Sequence, residues 1–133
     1  MKRVVTALIF VVATSVSAFA QSLPVPSYWL NQRGSEMKLY TITPTGDFTG
    51  LYWNHAAGFK CQNTPINPPY TVTGHASGTS VTFAVVWNNG VQNCNSKTVW
   101  RGQLNGKTLS TKWILTGNGM PPITGTDIFQ QQW

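Results

Sequence analysis

The feature that most constrains this chain is an unbroken succession of short, strand-like segments. After Ala20 no stretch has the 3.6-residue hydrophobic periodicity of a helix. Alternating apolar and polar residues recur instead between clusters of Gly, Pro and Asn, which are typical of turns. The alternation predicts eight β-strands, over residues 28–31, 36–43, 48–54, 70–76, 79–87, 97–104, 108–116 and 124–132.

The connections between these segments favour antiparallel neighbours. Asn105-Gly106 is a strong signal for a tight hairpin, and Ser77-Gly78 joins another pair of strands. The chain offers no place for the helical crossovers that parallel strands need. Closing the sheet removes its exposed edges, and eight strands enclose room for one small ligand. We therefore predict an all-β fold, an eight-stranded antiparallel up-and-down β-barrel.

The first 20 residues have the three parts of a secretory signal peptide. Two basic residues follow the initial Met, residues 4–16 are mostly apolar, and Ala-Phe-Ala at 18–20 matches a cleavage site. The apolar run is shorter than the ~20 residues of a membrane-spanning helix. We expect cleavage near Ala20, secretion to the periplasm or the extracellular space, and a mature domain over 21–133.

Charge and cysteine content exclude several classes of function. With 9% charged and 41% hydrophobic residues, the chain is too apolar to be disordered, and its scattered Lys and Arg form no patch for nucleic acid. In an exported protein, Cys61 and Cys94 are most simply a disulfide, and without a neighbouring His or acid they offer no metal site. The acids Glu36, Asp47 and Asp127 form no readable catalytic pair, so we expect no enzyme activity.

Two Trp-bearing segments point to a ligand site. Residues 83–89 and 97–102 read as strands that flank an Asn-rich loop with Cys94 at its centre. This arrangement places large aromatic faces and small hydrogen-bonding groups at the same end of a sheet. A pocket for a compact ligand with polar edges needs that combination. The six Trp of the chain have an alternative explanation as core packing alone.

Six motifs, in order and spacing, resemble the avidin and streptavidin family, and together they span almost all of the mature chain. They are WLNQRGS at 29–35, GDFTGLY at 46–52, WNN at 87–89, SKTVWRG at 96–102, TKWIL at 111–115 and GTDIF at 125–129. The two cysteine segments, GFKCQN at 58–63 and QNCNS at 92–96, look most like the short dimeric avidins of the rhizavidin type.

The resemblance implies non-covalent, high-affinity binding of biotin, with no further cofactor. Family members direct three donors at the oxygen of the ureido head of biotin, and the matching positions here are Asn31, Ser35 and Tyr52. Asp127 matches the carboxylate that accepts one ureido N–H. Asn54 occupies the place of a serine that accepts the other, so its amide would have to present its oxygen there.

Further matching positions surround the rest of the ligand. Thr98 matches a hydroxyl that faces the ring sulphur, and Ser96 matches one at the tail carboxylate. Ala57 and Gly58 lie where a backbone N–H caps that carboxylate. The remaining matches form apolar walls, at Trp87, Trp100, Trp113 and Leu115.

Departures from the family pattern carry their own implications. Residues 117–122 lack the Trp that tetrameric relatives donate to a neighbouring subunit, which implies a homodimer. In the dimeric branch a Cys61–Cys94 disulfide ties two loops over the pocket. Arg33 stands where tight-binding relatives have a small or apolar residue. It either pairs with the tail carboxylate or is a solvated surface charge, and the preference of Arg for the surface favours the second.

Two other classes of protein fit parts of the pattern. A small outer-membrane barrel would also be exported with eight strands, but its outer face should be apolar, and Glu36, Lys38, Lys97, Arg101 and Lys112 interrupt such faces. We therefore expect no membrane partner. A secreted carbohydrate-binding module would stack sugars on exposed Trp side chains, whereas a barrel pocket would bury them.

Overall fold

The computed structural model describes Val11 and residues 21–133; apart from Val11, the predicted signal peptide lies outside the described residues. Each strand is antiparallel to its neighbours in the chain, and the last strand pairs with the first to close a barrel. The predicted eight-stranded antiparallel β-barrel is therefore confirmed. The strands are β1 Ser27–Asn31, β2 Glu36–Ile42, β3 Asp47–Trp53, β4 Tyr70–Ser77, β5 Ser80–Asn88, β6 Asn93–Asn105, β7 Thr108–Gly117 and β8 Met120–Gln131.

The interior of the barrel is filled by every second side chain. In β5, for example, Val81, Phe83, Val85 and Trp87 are buried, while the residues between them are more exposed. Burying one such side chain stabilises the fold by roughly 1.5–3 kcal/mol, so a shift of register by one residue would be costly. The largest fully buried side chains are Trp29, Tyr70, Phe48, Phe83, Phe129 and Met37.

Strand β6 begins four residues earlier than the sequence predicted. The Asn-rich stretch was expected to be a loop, but Asn93 pairs with Asn88 and extends the β5–β6 hairpin. The connecting turn is held by the side chain of Asn89, whose oxygen accepts the backbone N–H groups of Val91 and Gln92. Cys94 consequently lies in a strand and not at the centre of a loop.

Strand β8 also begins four residues early, because residues 117–122 are only partly a loop. Gly117 pairs with Met120 across a two-residue turn, and the register shifts between Leu115 and Gly117. Gly117 has a φ of +119°, a conformation that favours glycine. The register shift accommodates Pro121 and Pro122, which have no backbone N–H to donate to a regular pattern of hydrogen bonds between strands.

The antiparallel topology gathers particular strand ends at one end of the barrel. The C-terminal ends of β1, β3, β5 and β7 meet the N-terminal ends of their even-numbered neighbours there. Asn31, Tyr52 and Trp87 lie near those C-terminal ends, and Thr98 lies in the first half of β6. Among the described residues, no helix is long and apolar enough to cross a membrane.

Candidate functional site

A cavity of about 240 Å³ opens at this end of the barrel. Its walls are mainly aromatic, and its polar groups include one carboxylate, from Asp127, and one guanidinium, from Arg33. Small-molecule sites commonly combine an apolar enclosure with a few fixed polar groups. Ten of the residues that the sequence singled out as ligand-binding line this cavity: Tyr52, Asn54, Gly58, Trp87, Ser96, Thr98, Trp100, Trp113, Leu115 and Asp127.

The other three candidate residues do not line the cavity. Asn31 and Ser35 are buried directly behind the wall, in contact with residues that do line it. Ala57 is exposed, and its neighbour Ala56 lies in the cavity wall instead.

The turn between β1 and β2 fixes the orientation of the Asn31 side chain. Its oxygen accepts the backbone N–H groups of Arg33 and Ser35, each at 3.0 Å. Its amide nitrogen must therefore point the other way, where it lies 3.4 Å from the hydroxyl of Tyr52. The turn thus presents Asn31 as a donor toward the cavity wall.

The hydroxyl of Tyr52 is held in its protonated form. Burial raises its pKa above the ordinary value, and the negative charge of Asp127 raises it further. Hydrogen bonds from Ser35 and Asn31 and the charge of Arg33 act in the opposite direction but do not reverse the shift. Tyr52 is therefore a hydrogen-bond donor at any physiological pH.

Asp127 is a buried carboxylate with three side-chain donors in the described part of the chain. Oδ2 accepts the indole N–H of Trp100 at 2.8 Å, and Oδ1 accepts Arg33 Nε at 2.8 Å and Gln32 Nε2 at 3.1 Å. Gln32 also bonds the backbone of Thr126 and Ile128, so it clamps this part of β8. A carboxylate has about four acceptor positions, which leaves one for a ligand N–H beside the three that are filled.

Arg33 is not a solvated surface charge, and that interpretation was wrong. Only a third of its side chain is exposed, its Nε lies 2.8 Å from Asp127 Oδ1, and it lines the cavity. The centre of its guanidinium lies 5.7 Å from the ring centroid of Trp113 and 5.8 Å from that of Phe59. Cation–π attraction to both rings and the ion pair with Asp127 outweigh the usual preference of Arg for water.

The long β3–β4 loop is tied down by Asn54 and by a disulfide. Asn54 donates to the carbonyls of Lys60 and Cys61, and its oxygen accepts the N–H of Ala56 at 3.1 Å. The predicted Cys61–Cys94 disulfide is confirmed, and it joins this loop to the start of β6. Both anchors hold the loop over the mouth of the cavity.

Two of the Trp walls are positioned by small neighbours. The indole N–H of Trp87 donates to the hydroxyl oxygen of Thr98 at 2.8 Å, which leaves the O–H of Thr98 free to donate elsewhere. Trp113 packs directly on Gly125, where a Cβ atom would lie 2.3 Å from the indole ring. Gly125 is therefore required for the position of Trp113.

Sequence reasoning missed Gln32 and Phe59 altogether and placed Arg33 incorrectly. All three act through partners that are distant in sequence, since Gln32 and Arg33 reach a carboxylate more than 90 residues away. Phe59 meets the ring of Trp113 edge-on with centroids 5.8 Å apart. The one available signal was the charge at position 33 within the family-like motif at 29–35, and it indicated only that the residue departs from the family pattern.

Comparison with known proteins identifies the family that this chain resembles. The model of the avidin family matches residues 19–131. The chain is 39% identical over 108 residues to afifavidin from Afifella pfennigii, an alignment that covers 77% of this chain and 65% of the relative. It therefore spans a little under two thirds of the length of that relative.

Solved structures of similar proteins have the same fold. The crystal structure of rhizavidin superposes with a TM-score of 0.69 at 40% identity and covers 79% of this chain and 80% of the other. The structure of a bradavidin2–biotin complex gives a TM-score of 0.72 at 36% identity and covers 84% of this chain and 100% of the other.

Proposed function

The chain belongs to the avidin family, and from that premise we propose that it binds biotin without covalent chemistry in the cavity at the open end of the barrel. The observation that carries the proposal is the polarity of this cavity: a buried carboxylate acceptor and a protonated Tyr52 donor line one aromatic enclosure. The ureido head of biotin presents two N–H groups and one carbonyl oxygen, which require that pairing. Binding and release of biotin involve no bond cleavage, so we assign no enzymatic activity.

The proposed contacts begin at the ureido head. Tyr52, with Asn31 and Ser35 behind it, would donate to the ureido oxygen, and preorganised donors of this kind favour a polarised carbonyl. Asp127 would accept one ureido N–H at its remaining position on Oδ2. Asn54 would accept the other, because within residues 21–133 its oxygen has one donor, the N–H of Ala56, and can take a second.

The remaining contacts would hold the rings and the tail. Trp87, Trp100, Trp113 and Leu115 supply the walls around the bicyclic ring. The free O–H of Thr98 would face the sulphur. Ser96 and the backbone N–H groups near Gly58 would bind the tail carboxylate at the mouth.

A tryptophan-fluorescence titration with free biotin tests the proposal directly. In the oxidised protein from Gln21 onward, three of the six Trp side chains line the cavity, so quenching should saturate at one biotin per chain. A flat titration at micromolar protein and excess biotin would contradict the proposal.

Replacing Asp127 by Asn should weaken biotin binding by about 1–3 kcal/mol, roughly 5- to 150-fold in Kd. A neutral amide has one oxygen acceptor and cannot serve Trp100, Gln32 and a ligand N–H together. Isothermal titration calorimetry measures the loss. Asp47→Asn is the matched control, because Asp47 is an exposed acid at the start of β3 that pairs with His75. Equal losses in the two variants would remove Asp127 from the binding site.

We also propose that two chains form a homodimer. Met120 and Ile123 line the rim of the cavity yet are 52% and 40% exposed, so a partner subunit would find an apolar surface there. The turn at Asn118-Gly119 carries no Trp that could cover this rim. Light scattering after size exclusion should give twice the mass of one chain. A monomer mass at micromolar concentration would contradict the proposal.

We further propose secretion, with residues 1–20 removed as a signal peptide. The Cys61–Cys94 disulfide supports this proposal, because such bridges persist in oxidising compartments. Mass spectrometry of the exported protein should find Gln21 as the first residue. Recovery of the uncleaved chain from the cytosol would contradict it.

A further inference from the structure

Arg33, Phe59 and Trp113 form a three-way contact in the lining of the cavity. The centre of the Arg33 guanidinium lies 5.7 Å from the ring centroid of Trp113 and 5.8 Å from that of Phe59, and the two ring centroids are 5.8 Å apart. The three residues come from the β1–β2 turn, the β3–β4 loop and β7, so their contact joins three separate parts of the fold. We call these three side chains the loop latch.

Phe59 is the side chain through which the β3–β4 loop reaches β7. Residues 55–60 lie between two anchors of this loop, the hydrogen bonds of Asn54 and the disulfide at Cys61. Within that segment Phe59 is the only large apolar side chain, and it is half-buried while its neighbours Gly58 and Lys60 are exposed. The position of the segment therefore depends on what holds Phe59.

Trp113 depends on packing more than the other Trp walls of the cavity do. The indole N–H groups of Trp87 and Trp100 each donate to a side-chain oxygen at 2.8 Å. The indole N–H of Trp113 is buried and has no hydrogen-bond partner among the described residues. Its ring is therefore fixed by its neighbours, which include Phe59 and Arg33.

Arg33 is oriented by the buried carboxylate of Asp127. Its Nε lies 2.8 Å from Asp127 Oδ1, and this pair leaves the open acceptor position on Oδ2 to a ligand. A planar guanidinium held at Nε can keep its charged centre beside the two aromatic rings. Arg33 therefore connects a fixed group of β8 to the side chain that holds the β3–β4 loop.

We propose that Arg33 is a positioning residue that closes the β3–β4 loop before a ligand arrives and slows the departure of a bound one. By holding Phe59 against Trp113 in the free protein, the loop latch reduces the ordering that binding would otherwise require. The same contact has to open for the ligand to leave. The effect on release rests on the proposed biotin-binding function, whereas closure of the free loop depends on no ligand.

Hydrogen exchange in the ligand-free protein tests the closure. The amide of Phe59 donates to the carbonyl of Ala56 at 3.3 Å, so its protection reports on the order of residues 55–60. Arg33→Gln removes the cation but keeps an amide that can donate to Asp127. Exchange at Phe59 should become roughly tenfold faster, because two cation–π contacts are lost.

Two further variants control this measurement. Arg33→Lys keeps a cation near the rings and should recover part of the protection at Phe59. Lys97→Gln is the matched control, because Lys97 is an exposed cation in β6 that lies outside the cavity lining and contacts no aromatic ring among the described residues. Its exchange at Phe59 should equal that of the wild type.

A competition chase with excess ligand measures the release of biotin. Release should be roughly tenfold faster from Arg33→Gln than from the wild type. Phe59→Leu removes the ring and leaves the Arg33–Asp127 pair in place, and it should also speed release. In the Phe59→Leu background, Arg33→Gln should have at most about a twofold effect, because the loop latch is already broken there.

Wild-type exchange at Phe59 in Arg33→Gln would overturn the inference. A full tenfold effect of Arg33→Gln on release in the Phe59→Leu background would also overturn it, because Arg33 would then act without Phe59. Either result leaves biotin binding intact. A wild-type protein that does not bind biotin would overturn the proposed function, and the exchange measurement would still decide whether Arg33 closes the free loop.

Discussion

Reducing the Cys61–Cys94 disulfide is expected to lower the free energy of unfolding by about 3–4 kcal/mol. The two cysteines are 33 residues apart, and the bridge restricts the unfolded chain by closing that loop. Reduction should also release the β3–β4 loop from β6, since Cys94 lines the cavity and Cys61 is buried beside it. We therefore expect faster release of biotin together with lower stability.

Denaturant unfolding of the oxidised and reduced wild type measures the first effect, and a competition chase with excess ligand measures the second. Using one sequence in two redox states avoids the loss of side-chain volume that a substitution of the buried Cys61 would cause. A Cys61→Ala, Cys94→Ala double variant is the control, because reductant should have no effect on it. Coincident unfolding curves for the oxidised and reduced wild type would show that the bridge adds nothing to stability.

The fold was predictable because its determinants are local. In a strand that is half buried, side chains alternate between core and solvent, and β5 shows that alternation from Val81 to Trp87. The hairpin signal at Asn105-Gly106 likewise acts within a few residues, and the structure has the β6–β7 turn there. The predicted starts of β6 and β8 were wrong because Asn, Gly and Pro usually break strands. Whether such residues join a strand depends on pairing with a neighbouring strand, as in the pair formed by Gly117 and Met120.

The candidate site was predictable only as a set of residue types in a family pattern. Motif spacing indicated Asp127 and Trp100, and the structure joins them by a hydrogen bond. Nothing in the sequence indicated that Arg33 would reach Asp127 across 94 positions, because the contact depends on the closure of β1 against β8. Residue-type preference favoured a surface Arg, and the two aromatic rings beneath it reversed that preference.

Truncating Trp100 to Ala should destabilise the protein by about 3–5 kcal/mol and abolish measurable biotin binding. Trp100 is 2% exposed, stacks on Phe83, and lies 5.2 Å from the ring centroid of Tyr52. Its loss leaves a large cavity between core and pocket and removes one wall of the site. It also deprives Asp127 of the donor on Oδ2. Thermal unfolding and calorimetric titration measure the two losses separately.

Trp100→Phe separates packing from hydrogen bonding. This variant keeps an aromatic ring against Phe83, so it should be much more stable than Trp100→Ala. Because phenylalanine cannot donate to Asp127, the variant should still bind biotin more weakly than the wild type. Trp53→Ala controls for the loss of a Trp outside the cavity, where the ring contacts Lys38. If Trp100→Phe matches the wild type in affinity, the hydrogen bond to Asp127 does not orient the carboxylate for the ligand, and the contribution of Trp100 is packing alone.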